Sequence, residues 1–382
     1  MSGSVVVIGM TSASRAALSV TAAALLSMAQ PVAHAWTPQY LGQWQVPRAT
    51  PFHNTVIGGL SGISYDPGRN VYYTVSDDKA EHGGVRFYSV RLGVSEGGID
   101  AGQFLQMQEL LDESGKPFSR SSMAADSPVL MPDAEGIAFD GVRNRLYWSS
   151  EGFAAEGSDD RPARLLQPSI RIAGLDGAYQ GEFALPPGFA FSPDKATGPR
   201  PNGVLEGLSL TPDGRYLFAA MEHPLYQDGT AADEHNTGLV RITKFDVETR
   251  NAVAQFAYQV DRAAPGTGEN GVADILALSE SSLVVIERAA SLPAAIAVRL
   301  YHADFGPATD VLGMPSLTGQ PIAPMVKSLA VDLNTVGGLE PLDNIEGITL
   351  GPVLPDGRQS VVLVSDDNFQ PFEVTQFLAF AL

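Results

Sequence analysis

From residue 36 onward the chain shows almost no helical periodicity. Short apolar runs rich in Val, Ile, Leu, Tyr and Phe alternate with clusters of Gly, Pro, Asp and Asn. Runs of that kind predict β-strands, and the clusters between them supply turn chemistry. The runs also repeat. Gly59-Leu-Ser-Gly-Ile-Ser64 precedes Val71–Asp78, and Asp133-Ala-Glu-Gly-Ile-Ala138 precedes Leu146–Gly152. Asn202–Leu210 precedes Tyr216–His223, Asn270–Leu278 precedes Leu283–Arg288, and Asp343–Leu350 precedes Val361–Asn368. Aligned on Gly62, Gly136, Gly207, Ile275 and Gly347, the five units lie 74, 71, 68 and 72 residues apart. A steady period of this length predicts the blades of a β-propeller, four strands each.

Further strands complete each unit. Third strands are predicted at 86–92, 165–172, 239–245, 297–303 and 375–382. Fourth strands are predicted at 104–111, 181–185, 252–260 and 327–333. The fifth unit ends without a fourth strand, and one strand near the start, Tyr40–Val46, has no unit of its own. Pairing it with the last strand closes the ring and removes an open sheet edge. The fold expected is all-β, a closed propeller of five four-stranded blades. Six blades is the alternative, with a degenerate unit inside 112–131 or 305–325. Aromatic strand residues such as Tyr72, Tyr73, Tyr147, Trp148 and Phe218 are expected in the core between blades.

The hairpin of each unit gives its acids a position. Strand one leaves one rim of the channel and strand two returns to it, so the start of the first lies beside the end of the second. Glu135 and Glu151 are 16 apart, as are Glu206 and Glu222. Ser61 and Asp77 keep that spacing with Ser in place of the acid. Asp274 and Glu287 are 13 apart, and Glu346 and Asp366 are 20 apart. Nine carboxylates are therefore expected at one mouth. Two charges at ~4 Å repel by about 4 kcal/mol at an effective dielectric near 20, so protonation, basic neighbours or a bound cation must offset them. Lys79, Arg86, Arg164, Arg288 and Arg299 are the basic residues at hand. Oxygen donors without thiolates favour Ca2+, with Mg2+ or Mn2+ behind it. The candidate ligands are Asp77, Glu135, Glu151, Glu206, Asp274, Glu287, Glu346 and Asp366. The competing reading makes each Glu-Gly a bulge whose carboxylate bonds backbone amides of the next blade, with the acids after strand two solvated.

Composition narrows the function. The first 35 residues read as a secretory leader: Arg15, the apolar run Ala16–Met28, then Ala33-His34-Ala35 as a cleavage signal. The apolar run is short for a membrane span. The domains expected are thus a signal peptide, 1–35, and a propeller, 36–382, in a periplasmic or extracellular protein with no membrane span after processing. There is no cysteine for disulfides or for a thiol nucleophile. Removing Arg15 leaves 23 basic against 43 acidic residues, a net charge of −20. That balance excludes nucleic acid as a partner. A monomer is expected.

Other chemistry is sparse. There is no G-x-S-x-G elbow, no phosphate-binding glycine loop and no H-E-x-x-H. Ser76-x-x-Lys79 and Ser192-x-x-Lys195 match S-x-x-K, but both lie in predicted loops, where a chance match suffices. Among the histidines His53, His82, His223, His235 and His302, His223 follows Glu222 and His82 follows Asp77 and Asp78, so these two can reach the acidic rim.

The motifs GGLSGISYD (58–66), VYYTVSDD (71–78), DAEGIAFD (133–140), LYWSSEG (146–152), NGVLEGLSLTPDGRYLFAAMEHPL (202–225), NIEGITL (344–350), VLVSDDNF (362–369) and TQFLAFAL (375–382) together resemble the phytase-like esterase family. The resemblance spans nearly all of 36–382. It implies an exported hydrolase of small esters, phosphate esters among them, assisted by a metal. It marks Glu135, Glu206, Glu346, Asp366, Asp367 and Asn368 as site positions, while Ser61 and Ile275 depart from the pattern. Glu206, Glu222 and His223 are the candidate catalytic residues, and Arg288 and Lys79 the candidate binders of a substrate anion. The alternatives are a non-catalytic binding propeller stiffened by calcium and a lactonase-type sugar-acid hydrolase.

Overall fold

The computed structural model describes residues 1–3, 36–118, 130–155, 164–291 and 293–382. The leader expected over 1–35, apart from its first three residues, and much of the loops 112–131 and 153–163 lie outside the described residues. Contacts divide the chain into Met1–Ala35 and Trp36–Leu382, and the second unit is the one described here. No helix among the described residues is long and apolar enough to cross a membrane.

Trp36–Leu382 is a five-bladed β-propeller. Blade one is built from Leu60–Asp66, Val71–Ser76, Arg86–Ser95 and Gly98–Glu109, and blade two from Ala134–Asp140, Arg145–Ser150, Ser169–Gly174 and Tyr179–Glu182. Blade three comprises Leu205–Leu210, Tyr216–Met221, Gly238–Asp246 and Asn251–Val260. Blade four comprises Asn270–Ala277, Ser282–Ser291, Ala295–Asp304 and Val326–Asp332. Blade five takes Ile345–Val353, Gln359–Ser365 and Gln376–Ala381 from the end of the chain, and its outer strand, Gln39–Gln45, from near the start. All strand pairings within the blades are antiparallel. The closing strand pairs from Gln39 opposite Ala381 to Gln45 opposite Gln376, with a register shift between Tyr40 and Gly42, and Trp44 stacks on Phe377 at 5.7 Å. The expected closure is therefore present. The stretch 305–325 is no sixth blade. It lies along blade three, with the Val311 and Met325 amides donating to the Gln255 and Ala257 carbonyls.

The first strands of the five blades meet round a closed cycle. Their side chains alternate between the two neighbouring blades: Ile137 clusters with Val71 and Val75 of blade one, and the next residue, Ala138, with Leu208 and Leu217 of blade three. The predicted core aromatics Tyr72, Tyr73, Tyr147, Trp148 and Phe218 are all buried. Hydroxyls latch blade to blade. The Phe139 amide donates to Ser64 Oγ and the Ala277 amide to Ser209 Oγ, both at 2.9 Å, and the Tyr65 amide donates to Thr349 Oγ1 at 3.1 Å. The glycine of the repeat lets these strands approach. A Cβ on Gly62 would sit 2.5 Å from the Glu135 carbonyl oxygen, and one on Gly136 equally close to that of Glu206.

Candidate functional site

Every first strand carries a β-bulge at the position of the acid-glycine step, which is Ser61-Gly62 in blade one and Ala273-Asp274 in blade four. The extra residue turns the acid out of the ladder and toward the channel. In four blades the same backbone hydrogen bond then ties the residue after strand two to the start of strand one. The Asp77 amide donates to Gly59 O, Glu151 to Asp133 O, Glu222 to Val204 O and Asp366 to Asn344 O, at 2.8–3.0 Å. Hairpin length does not matter to this junction, because the bond is made at its open end. Seven of the nine predicted carboxylates therefore converge on one mouth: Asp77, Glu135, Glu151, Glu206, Glu222, Glu346 and Asp366.

Blade four departs by one residue. Asp274 pairs with Ile286, as Gly62 pairs with Val75 and Gly347 with Val364. Asp274 thus stands at the glycine position, Ala273 at the acid position, and Arg288, not Glu287, at the position after strand two. The alignment on Ile275 was one residue too far along. The Asp274 carboxylate lies deeper and bonds backbone amides: Oδ1 accepts from Leu208 at 3.2 Å and Ile275 at 2.8 Å, Oδ2 from Ile348 at 2.8 Å. This is the bulge reading, realised in one blade, and it pins blades three, four and five together. Glu287 points away from the mouth, because alternate residues face opposite sides of a strand. Tyr258 Oη (2.7 Å), the Asp261 amide, Asn270 and Lys327 Nζ all bond it.

Arg288 brings a cation into the ring instead. Its guanidinium reaches Asn344 Oδ1 at 2.6 Å, Glu222 Oε1 at 3.2 Å and Glu346 Oε1 at 3.2 Å. On the other side Lys79 Nζ meets Asp133 Oδ2 at 2.9 Å. The other basic candidates are engaged elsewhere or exposed. Arg86 is buried against Asp78, Arg299 pairs with Asp332, and Arg164 sits on an exposed hairpin. Two positive groups do not neutralise the cluster. Burial first, and mutual repulsion second, push Asp77, Glu135, Glu206 and Asp366 well above the usual carboxylate range. Glu151 is pushed up to about 8 by burial, although its Oε1 accepts the Val204 amide at 2.7 Å. Burial also raises Glu346, against the lowering effect of Arg288.

Among the described residues, two sets of oxygens are close enough to share a cation. One atom from each of Asp77, Asp133 and Glu135 lies within 4.8 Å of the others, and the same holds for Glu135, Glu151 and Glu206. Asp133 Oδ1 is buried without a hydrogen-bond partner. Buried polar atoms are seldom left so, and a hard cation fits an all-oxygen donor set. A cavity of about 340 Å3 opens beside these groups, lined by Lys79, Glu151, Glu206, Glu222, Arg288 and Glu346, with Asn202, Asn344, Asn368 and Glu373. His223 does not line it. His223 Nδ1 stands 3.9 Å from Glu222 Oε2. His82 lies at the rim, stacked on Phe369 at 4.1 Å. The rim loops hold Lys79, Ala80, Asn368 and Phe369 at φ between 43° and 56°, a left-handed conformation that costs energy without glycine and tends to mark functional loops. Asp367 supports one of them by accepting the Gly59 amide at 2.9 Å.

Sequence reasoning missed Asp133, Asn344 and Glu373. A signal for two of them was present: Asp133-x-Glu135 and Asn344-x-Glu346 share a spacing of two, which puts both members on one side of a strand start.

A ring of first strands, three of them opening on an acid at one rim, defines a propeller with a carboxylate-lined channel mouth. The chain belongs to the phytase-like family, described by the esterase-like activity of phytase, with the match running over residues 55–369. No curated protein matches the chain. Similar solved structures include the hydrazine synthase of Kuenenia stuttgartiensis (10% identity, 80% of this chain and 64% of that one, TM-score 0.36). They also include a xylan β-1,4-xylosidase from Bacillus halodurans C-125 (12%, 86% and 54%, TM-score 0.43) and a thermostable family-43 glycoside hydrolase (11%, 88% and 91%, TM-score 0.41). The chain spans less than two thirds of the length of the first two.

Proposed function

We propose that the chain is an exported, metal-dependent hydrolase of small esters, phosphate esters among them, working at the acidic mouth. One observation carries the reading: nine carboxylates, the seven above with Asp133 and Glu373, share the mouth with two basic side chains, and the charge left over calls for a cation. Glu135, Glu151 and Glu206 would hold it. Calcium suits the donors best. When bound, such a cation supplies Lewis-acid polarisation to a substrate oxygen.

The chain's own groups divide the remaining work. Arg288 lines the cavity, so its guanidinium is the cation nearest to hand for a substrate anion. Lys79 adds a second positive charge across the cavity. Glu222, held by Arg288, faces the cavity and is the carboxylate placed to take a proton from an attacking water. His223, 3.9 Å from Glu222 and outside the cavity lining, has no contact with the cavity. Export rests on the leader pattern of residues 1–35.

The test is calcium titration into the EDTA-treated full chain, with turnover of p-nitrophenyl acetate and p-nitrophenyl phosphate followed in the same samples. Saturable calcium binding with calcium-dependent turnover, lost in Glu206→Gln without a lower melting temperature, is the expected result. Binding without turnover would return the ion to a structural role in a recognition propeller. Absence of binding would overturn the metal assignment.

A further inference from the structure

The two ends of the channel are chemically unlike. At the end opposite the acids, where the first hairpin of each blade turns, lies a cavity of about 600 Å3. All five blades contribute to its wall, among them through Ile63, Ile137, Leu208, Leu276 and Ile348. Among the described residues, no Asp, Glu, Lys, Arg or His lines it. The polar side chains in the wall already have partners. Ser64, Ser209 and Thr349 accept the latch amides of the neighbouring blades. Thr211 Oγ1 donates to Asp213, the Tyr65 hydroxyl donates to Asn70, and Gln359 donates to the Gly351 carbonyl. At the edge Val142 and Val353 are 73% and 65% exposed, and apolar side chains held in water beside a concave apolar wall mark a binding surface more often than chance.

We infer that this cavity is a second binding site, for a neutral, hydrocarbon-rich small molecule. Its volume falls within the range of small-ligand sites, which are concave and mostly apolar. A charged ligand would lose its hydration with no counter-charge in the wall. A polypeptide segment would bring a row of N–H and C=O groups to a mostly apolar wall, where the few side-chain hydroxyls and the Gln359 amide cannot satisfy them all. A hydrocarbon meets neither penalty and gains from leaving water. The site is independent of the hydrolase reading, since the acid-glycine belt of the first strands separates it from the mouth.

The neutral dye Nile red is the probe, titrated into the full chain and into a Val142→Asp/Val353→Asp variant. Both side chains are mostly exposed, so the variant should melt at the parent temperature. Saturable binding is expected in the parent, unaffected by EDTA or by Glu206→Gln, and weakened on the order of tenfold or more in the double variant. Only the component of binding that the double variant removes counts for the site. No such component would overturn the inference. Loss of dye binding in Glu206→Gln would move the dye to the mouth and overturn it too. Dimers in sedimentation equilibrium that dissociate in the double variant, without a dye site, would make this face an interface between copies instead.

Discussion

Replacing Arg288 by Gln tests the electrostatic account of the mouth. The guanidinium touches Glu222 and Glu346, each at 3.2 Å, and its side chain is 17% exposed against 11% and 10% for its partners. Removing one member of a buried ion pair costs about 3–5 kcal/mol, and partial exposure trims this to about 2–4 kcal/mol. The pH dependence fixes the cause. Glu346 is raised by burial and held down by Arg288, so without Arg288 it rises further. A carboxylate whose folded pKa is raised contributes stability that is full below the unfolded value, about 4.3, and is lost as pH climbs through the folded value. The deficit of the variant should therefore be small near about pH 5.5 and grow toward about pH 8. Urea denaturation of parent and Arg288→Gln in EDTA at the two pH values measures it. Added calcium should recover part of the loss at the higher pH. A deficit equal at both pH values, or none at either, would refute the claim that Arg288 works by compensating charge.

Glu151, raised to about 8, should make the cation-free parent less stable as pH rises from about 4.5 to about 8. Glu151→Gln keeps an acceptor for the Val204 amide, and should be the more stable protein at the upper end in EDTA, as thermal melting across that range will show. Gly136→Ala drives a Cβ to 2.5 Å from the Glu206 carbonyl and should cost about 1–3 kcal/mol or more. Gly337→Ala, with open space around it, should be close to neutral in the same denaturation assay. Glu287→Gln should lower the melting temperature while leaving calcium affinity unchanged, because its carboxylate bonds Tyr258, Asn270 and Lys327 away from the mouth. A calorimetric loss of calcium binding would restore Glu287 to the site.

The propeller was legible in the chain because its two governing signals are local. Strand length and turn residues mark each hairpin, and five copies at a near-constant period mark the blades. Even closure could be counted, since blade five lacked one strand and Tyr40–Val46 had none to join. The rim acids were legible for a similar reason: a hairpin brings its own two ends together whatever its length, so Glu135 and Glu151 meet as surely as Glu346 and Asp366. Blade four shows where that reasoning stops. One residue of register decides which face of a strand a side chain takes, and nothing local distinguishes Glu287 from Arg288. Only the pairing of Val272 with Glu287 and of Gly271 with Arg288 sends the acid to the blade interior and the base to the channel. The balance of charge at the mouth is likewise tertiary. Lys79 and Asp133 come from different blades, as do Arg288, Glu222 and Glu346. The raised carboxylates exist because five strands converge on one axis and exclude water there, a property of the closed ring and of no single blade.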